Sequence, residues 1–318
     1  HLNSIVAQRN PGAMMIAEES TAWPKVTGDV EDGGLGFTYK WNMGWMHDFL
    51  EYMKCDPIFR KYHQNQITFS FMYAYSENYV LVLSHDEVVH LKKSMIYKMP
   101  GTMPEKFGNL RAAYGLMMMH PGKKLLFMGQ DFAQTAEWNE AKSLDWHLLE
   151  KYPEHQQLNH YYCDLLHFYQ NEPALYELDD SPEGFAWING SDAEHNMLTF
   201  CRMTKDKKNC LLCHFNFSPV AYENFQSGVL CPGTYTEVFN SNAAEYGGTG
   251  LVNSEPIEAV KESWDFKDYS IKYHLGAYGV CIFKFDYVEP KPEEPQKPAK
   301  RYTKEDIHKL AGHYKKVK

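Results

Sequence analysis

Residues 79–87, YVLVLSHDE, place a run of apolar side chains directly before a group of polar and acidic ones. Two other segments repeat this pattern. AMMIA at residues 13–17 runs into Glu18, and KLLFMG at residues 124–129 runs into Asp131 after one glutamine. Short continuous apolar runs are typical of strands in a parallel sheet that is buried on both faces. The sequence therefore predicts three such strands, each with a carboxylate just beyond its carboxyl end.

Helical patterns lie between these strands. In residues 44–54, Trp45, Phe49 and Met53 recur at a spacing of four, which puts them on one helix face. Residues 107–119 resemble a buried helix that ends before a proline and a glycine. Strands that alternate with helices indicate an α/β fold with a parallel sheet. An acid after a strand can also serve only as the N-cap of the next helix, so that interpretation stays open for each acid.

The pattern changes near residue 180. Short strand candidates follow, and turns rich in glycine and asparagine separate them. The candidates are residues 197–201, 210–217, 234–239 and 280–285. Beyond Tyr287 the chain becomes rich in proline and charge. We therefore predict three parts: an α/β part at residues 1–180, an all-β sandwich at residues 181–288, and a linker and tail at residues 289–318.

Composition excludes several classes of protein. The chain has 318 residues, 44% of them hydrophobic, which supports a sizeable core and argues against disorder throughout. Its formal net charge of -9 argues against binding to nucleic acid or an anionic membrane, since both need a basic surface. No apolar run approaches the roughly 20 residues of a membrane span. The chain begins at His1 rather than at methionine, so we expect a fragment or a processed chain.

The 7 cysteines do not resemble a disulfide framework, because they are odd in number and scattered. Reduced thiols in a cytoplasmic protein fit them better. Cys210, Cys213 and His214 match the C-x-x-C-H spacing of covalent haem attachment. However, the surrounding residues 209–217 are dense in apolar and aromatic side chains, which favours a buried strand. We therefore expect neither haem nor a metal at this motif.

The candidate chemistry lies with Glu18, His85 and Asp86. Acid catalysis at a glycosidic bond needs one carboxyl that stays protonated and another that stays ionised. Side chains at the ends of neighbouring strands can meet although they lie far apart in sequence, and a histidine beside them can hydrogen-bond a sugar hydroxyl. A surface glutamate and a helix-capping aspartate are the alternative. His85 and His90 are five residues apart, whereas a zinc-binding helix needs H-E-x-x-H with a spacing of four.

Five motifs in this order resemble the 1,4-α-glucan (glycogen) branching enzymes, a family of the α-amylase superfamily of glycoside hydrolases. The motifs are AEEST at 17–21, GLGFTYKWNMGWMHD at 34–48, LSHDEVVH at 83–90, KKLLFMG at 123–129 and SLDW at 143–146. The histidine and aspartate of the third motif indicate only the superfamily. The long second motif points to the branching enzymes. The resemblance covers essentially residues 1–288.

The resemblance implies the C-terminal half of a (β/α)8 TIM barrel followed by an all-β sandwich domain. Glu18 matches the general acid/base of the family, Asp86 matches the carboxylate that stabilises the transition state, and His85 matches the substrate-binding histidine. The implied reaction is retaining: an α-1,4-glucan chain is cleaved and passed to a 6-hydroxyl, which makes an α-1,6 branch in glycogen or amylose. The resemblance further implies a cytoplasmic glycosyltransferase of glycogen biosynthesis, monomeric and without a cofactor or metal.

Two departures from the family pattern stand out. The family nucleophile is an aspartate in an Arg-x-Asp pattern on the preceding strand, and Arg9, the one arginine before Glu18, has no such aspartate. We therefore expect the nucleophile upstream of His1, and we expect the isolated chain to be poorly soluble or inactive. The family also commonly has Met-Gly-Asn-Glu where residues 128–131 are Met-Gly-Gln-Asp, so no binding role is carried over to that site.

Two alternatives remain open on sequence alone. One is another hydrolase of the α-amylase superfamily, such as an α-amylase or a debranching enzyme. The other is a noncatalytic glucan-binding protein that has lost the nucleophile. An upstream Arg-x-Asp strand in the gene would indicate an enzyme, and a start codon at His1 would indicate the noncatalytic protein.

Overall fold

A parallel four-stranded sheet organises the first part of the chain. The structure is a computed structural model, and it describes residues 1–289. The strands are β1 (Ile16–Ala17), β2 (Tyr39–Trp41), β3 (Tyr79–Leu83) and β4 (Lys123–Leu126). They pair in the order β1-β2-β3-β4, and every pair is parallel. The predicted runs at residues 13–17, 79–83 and 124–129 correspond to β1, β3 and β4.

Helices precede, connect and follow these strands. They are α1 (Leu2–Arg9), α2 (Met43–Lys54), α3 (Pro57–Arg60), α4 (Asn65–Thr68), α5 (Ser70–Tyr73), α6 (Met95–Lys98), α7 (Met103–Met119), α8 (His147–Lys151) and α9 (Pro153–Asn171). The two helices predicted from the sequence are confirmed as α2 and α7. The alternation of strand and helix in this part confirms the α/β class.

Helix α2 forms because its start is capped and one face is apolar. The Asn42 side chain accepts a hydrogen bond from the backbone N–H of Trp45 at 2.9 Å, which satisfies a donor at the helix start. Trp45, Phe49 and Met53 are buried as their spacing predicts, and the first two rings stack with centroids 4.7 Å apart. The helix thereby covers one side of the sheet immediately after β2.

Helix α7 is the central helix of the core. Thr102 and Glu105 form a capping box, in which the Glu105 carboxylate accepts from the backbone N–H of Thr102 at 2.8 Å. The helix packs directly against the β-rich part of the chain. A side chain at Gly115 would bring a Cβ within 2.8 Å of Val280, so only glycine permits this close approach.

The second part of the chain is antiparallel. Its strands are β5 (Phe185–Asn189), β6 (Met197–Arg202), β7 (Cys210–Asn216), β8 (Tyr222–Val229), β9 (Thr234–Asn240), β10 (Ile257–Glu258), β11 (Tyr269–Leu275) and β12 (Val280–Phe285). Six of them form a sheet in the order β10-β9-β12-β7-β6-β5, and β11 pairs with β8. The four predicted strands are confirmed as β6, β7, β9 and β12. The other four were not predicted.

Strand β7 lies between two apolar cores, which explains its composition. Every residue of the strand is buried. Leu211, Cys213 and Phe215 pack in the larger core with α7, whereas Cys210 and Leu212 pack in a second core with β8 and β11. The C-x-x-C-H motif is therefore confirmed as part of a buried strand.

The coarse fold prediction is confirmed, since a parallel α/β part precedes an all-β part. Residues 1–288 form one compact unit. The boundary at residue 180 coincides with the change from parallel to antiparallel strands and stays a prediction as a domain division. The predicted tail at 289–318 lies outside the described residues apart from Glu289. Within residues 1–289, no helix is both long and apolar enough to cross a membrane.

Candidate active site

The parallel sheet brings the candidate residues to one edge. Glu18 follows β1 directly, and His85 and Asp86 follow β3 after a single serine. The carboxyl ends of parallel strands share an edge, which is where α/β folds place their chemistry. Only β2 lies between β1 and β3. The pairing register aligns Ala17 with Lys40 and Lys40 with Tyr79, so Glu18 is level with Val80 and Asp86 lies farther along the strand direction.

Asp86 does not serve as a helix cap. The turn His85–Glu87 is capped by Ser84, whose hydroxyl accepts from the backbone N–H of Asp86 at 3.3 Å. Glu87 completes the capping box by accepting from the backbone N–H of Ser84 at 2.5 Å. The capping alternative considered above therefore applies to Ser84 and Glu87. The carboxylate of Asp86 stays available, with a side chain that is 48% exposed.

His85 stands beside Asp86 on an aromatic support. Its Nε2 lies 3.4 Å from Asp86 Oδ1. The imidazole meets the Trp138 ring edge-on with centroids 5.8 Å apart, and the Phe127 ring lies 5.9 Å away. Phe127 directly follows β4, so the two neighbouring strand ends fix the imidazole together. A half-exposed histidine held in this way can donate a hydrogen bond to a ligand hydroxyl.

The two glutamates after β1 have different surroundings. Glu18 is exposed, whereas the Glu19 carboxylate accepts from Lys40 Nζ at 2.6 Å and from the backbone N–H of Thr21 at 2.6 Å. The hydrogen bond from Lys40, followed by those from Thr21, lowers the pKa of Glu19 to about 2. Glu19 is thus a fixed anion, and Glu18 is the glutamate left free for chemistry.

Lys40 fixes the loop that carries these glutamates. Its side chain lies in β2 and is only 4% exposed, which is unusual for a lysine. Besides Glu19, Nζ donates to the backbone carbonyl of Thr21 at 3.0 Å. The sequence analysis missed Glu19 and Lys40. The available signal was a lysine in the middle of a short apolar strand, which needs a buried partner.

A cleft of about 550 Å³ opens beside this loop. Trp41, Asn42 and Tyr73 contribute to its lining, and so does Trp23, which is 62% exposed. Asn42 Oδ1 accepts from the backbone N–H of Trp45 and from the Tyr73 hydroxyl at 3.2 Å. Asn42 Nδ2 is buried and has no partner among the described residues. Polar groups on an aromatic wall are suited to a polyhydroxylated ligand.

The side chains of Gln130 and Asp131 make structural contacts. Gln130 is fully buried, and its Oε1 accepts from the backbone N–H of Met95 at 3.2 Å. Asp131 accepts from Asn159 Nδ2 at 3.0 Å, and burial raises its pKa. Both side chains are engaged with helices of the core.

Comparison with known proteins places these observations in a family context. Residues 187–286 match the family described as "Alpha amylase, C-terminal all-beta domain". The 1,4-alpha-glucan branching enzyme GlgB of Butyrivibrio fibrisolvens is 49% identical over 291 residues, which are 92% of this chain and 45% of that protein. The GlgB of Halothermothrix orenii is 50% identical over 283 residues, which are 89% of this chain and 45% of that protein. The chain thus spans less than half the length of these relatives.

Solved structures support the fold. The α-amylase from H. orenii superposes with a TM-score of 0.57 at 15% identity, covering 89% of this chain and 55% of that one. The type I pullulanase from Bacillus subtilis strain 168, complexed with maltose, gives a TM-score of 0.61 at 12% identity. That match covers 90% of this chain and 41% of the pullulanase chain. At such low identity these likenesses concern the fold alone.

Proposed function

We propose that this chain, which belongs to the 1,4-α-glucan branching enzymes of the α-amylase superfamily, carries two of the three catalytic carboxylates of such an enzyme. The observation that carries the proposal is the placement of Glu18 and Asp86 beyond β1 and β3, at one edge of a parallel sheet. In this proposal the four strands are half of a (β/α)8 barrel, and residues 181–288 are the sandwich domain that follows it. The substrate is an α-1,4-glucan such as glycogen or amylose.

The proposed reaction proceeds by two displacements at one anomeric carbon. An aspartate encoded before His1 attacks C1, the C1–O4 bond breaks, and Glu18 gives its proton to the departing O4. A 6-hydroxyl of the acceptor then attacks C1, Glu18 takes the hydroxyl proton, and the aspartate leaves. The product is an α-1,6 branch, and Glu18 ends protonated as it began.

Asp86 and His85 act on the sugar ring in this scheme. The Asp86 carboxylate, half-exposed at the strand edge, accepts hydrogen bonds from ring hydroxyls and stabilises the positive charge of the oxocarbenium-like transition state. His85 donates to a neighbouring hydroxyl, and Trp138 and Phe127 hold its ring in place. Lys40 and Glu19 position the loop from which Glu18 projects.

The proposal extends to the setting of the enzyme. A net charge of -9 disfavours nucleic acid and anionic membranes as partners. All 7 cysteines are free thiols, which fits a reducing compartment, and we propose a cytoplasmic monomer acting in glycogen biosynthesis. No step of the reaction requires a cofactor. We propose that the isolated chain is inactive, because the attacking carboxylate is not within it.

Product analysis with the complete protein tests the reaction class. Amylose is incubated with the protein, and α-1,6 linkages are counted by proton NMR while reducing ends are assayed in parallel. We expect new α-1,6 linkages without a matching rise in reducing ends. A rise in reducing ends without new branches would indicate a hydrolase of the same superfamily. The absence of both changes would indicate a noncatalytic glucan-binding protein.

A further inference from the structure

A basic groove lies between helix α2 and the loop that follows Asp86. Its volume is about 570 Å³, within the range of small-molecule sites. Lys54 contributes to it from α2, and Lys92, Lys93 and Lys98 contribute from the loop and α6. We call these four side chains and the space between them the lysine groove. The proposed mechanism uses none of them.

The lysine groove has an excess of positive charge on an acidic protein. Two carboxylates, Glu51 and Glu87, also line it, so its four lysines exceed its carboxylates by two. Glu51 pairs with Lys54, and Glu87 accepts from the backbone N–H of Ser84. Within residues 1–289, no carboxylate oxygen lies within 4.0 Å of the ammonium groups of Lys92, Lys93 and Lys98.

The backbone that presents Lys92 and Lys93 is held in a strained shape. Leu91 and Lys93 have φ values of 66° and 64°, in the left-handed region that side chains other than glycine rarely adopt. The Glu137 carboxylate fixes them by accepting from the backbone N–H of Leu91 at 3.1 Å and of Lys93 at 2.7 Å. Strain maintained by a specific partner often marks a binding segment. The two ammonium groups thus project from a fixed backbone.

Lys98 brings a further cation against this loop. It is half-buried, and its Nζ donates to the backbone carbonyl of Lys92. Burial and the nearby Lys54 and Lys92 lower the pKa of Lys98 to about 8. Like charges held together in a partly desolvated groove destabilise one another, and an anion between them removes that cost.

We propose that the lysine groove binds a phosphomonoester. A phosphomonoester carries nearly two negative charges at neutral pH and three acceptor oxygens, and lysine ammonium groups bind phosphate as point charges. Tyr97 lines the same groove and is 45% exposed, so its ring can pack against the sugar that carries the phosphate. The phosphate comes from a free sugar phosphate or from a phosphorylated glucan, which share this chemistry.

Calorimetric titration of the complete protein tests the proposal. The probes are inorganic phosphate, glucose 6-phosphate and a phosphorylated amylodextrin, with glucose and unphosphorylated amylodextrin as references. The test variant is Lys92→Ala with Lys93→Ala, and the matched control is Lys142→Ala with Lys151→Ala, two exposed lysines outside the groove. Lys92→Arg with Lys93→Arg keeps both charges and serves as a rescue. Unchanged thermal unfolding shows that a variant has kept its fold.

We expect saturable binding of at least one phosphorylated probe, and the probe that binds most tightly identifies the source of the phosphate. In the alanine variant the Kd rises by about tenfold or more, because two charged contacts are lost. The control variant and the arginine variant stay within about threefold of the unsubstituted protein. Four results would overturn the proposal: no probe binds, the unphosphorylated references bind equally well, the alanine variant binds as tightly as the unsubstituted protein, or the control variant weakens binding as much as the test variant. Because the readout is binding, failure of the branching proposal leaves this test intact.

Discussion

Lys40 Nζ lies 2.6 Å from Glu19 Oε2, which ties the loop after β1 to the middle of β2. This contact fixes the backbone one residue beyond Glu18. It also distinguishes two adjacent glutamates, since the Glu19 carboxylate is engaged by Lys40 and Thr21 and the Glu18 side chain is exposed. We therefore expect the position of the proposed acid to depend on Lys40.

Replacement of Lys40 tests this positioning. We expect Lys40→Met in the complete protein to lower kcat for branching by about tenfold or more with little change in KM, because a displaced acid weakens proton transfer more than glucan binding. Lys40→Arg keeps the charge and should recover part of the loss. Lys61→Met, at a partly exposed lysine on the chain's surface, is the control. A Lys40→Met protein with unchanged kcat would show that the contact is only structural.

The pH dependence of stability follows from the same pair. The folded-state pKa of Glu19 is about 2, below its ordinary value of 4.5, so the unfolded chain takes up the proton first as the pH falls. The stability that ionised Glu19 contributes is complete above about pH 5 and is lost progressively as the pH falls towards 2. We therefore expect the difference in Tm between the original protein and Lys40→Met to shrink from pH 6 to pH 3. A difference that is constant over this range would contradict the assignment.

The ion pair between Asp179 and Arg202 links the parallel sheet to β6. Arg202 is fully buried, and its Nη2 lies 3.0 Å from Asp179 Oδ1. Burial opposes ionisation of Asp179, but the charges of Lys124, Arg202 and Lys123 outweigh it and lower the pKa to about 2. We expect Asp179→Asn to lower the free energy of unfolding by roughly 3 kcal/mol, because it leaves buried cations unpaired.

The neighbouring exposed residue supplies the control for that pair. Asp180→Asn should change the free energy of unfolding in urea by less than about 0.5 kcal/mol. The stability that ionised Asp179 contributes is present above about pH 4 and is lost as the pH falls through 2. The difference in the free energy of unfolding between the Asp179→Asn and original proteins should therefore narrow below pH 4. Equal effects of the two substitutions would contradict the role given to Asp179.

Two buried histidines make the fold sensitive to mild acid. Burial lowers the pKa of His120 and of His214 to about 3, from the usual 6.5. His120 Nε2 is hydrogen-bonded to the Ser70 hydroxyl at 2.8 Å. Below pH 6.5 these histidines are protonated in the unfolded chain but stay neutral in the folded one, so the free energy of unfolding falls as the pH drops. Each histidine contributes a slope of up to about 1.4 kcal/mol per pH unit.

Substitution isolates this effect. The free energy of unfolding in urea, measured between pH 7 and pH 5, should fall less steeply for His120→Gln and for His214→Gln than for the original protein. His167→Gln, at an exposed histidine of α9, should leave the slope unchanged. If the three variants and the original protein all lose stability with the same slope, the buried histidines are protonated in the folded state and this interpretation is wrong.

Sequence reasoning recovered the elements whose local pattern agrees with their environment. Strand β3 was predicted because all but its first residue are buried, which requires a continuous apolar run. Strand β8 was not predicted, because its first half contains the exposed polar residues Glu223 and Asn224, which interrupt any apolar run. Strand β2 contains Lys40, whose burial depends on Glu19, a partner 21 positions earlier in the chain. Only the folded structure brings these two residues together.

Glu18, His85 and Asp86 stay a prediction as site residues, and the contacts that support their loops could not be predicted from the sequence. The three residues were selected because they follow apolar strands and match family motifs. The hydrogen bonds that the Glu137 carboxylate accepts from the backbone N–H groups of Leu91 and Lys93 span 46 and 44 positions, so no local pattern could indicate them. For the same reason the lysine groove could not be predicted from the sequence.

The central claim is that Glu18 and Asp86 act together on one α-1,4-glucan bond, and branching by carboxamide variants tests it most directly. Glu18→Gln and Asp86→Asn are made in the complete protein, with Glu223→Gln on β8 as an exposed control. We predict that each of the first two lowers the rate of α-1,6 linkage formation from amylose by about a thousandfold or more while Tm is unchanged, and that the control branches normally. Branching at the original rate by either Glu18→Gln or Asp86→Asn would contradict the claim.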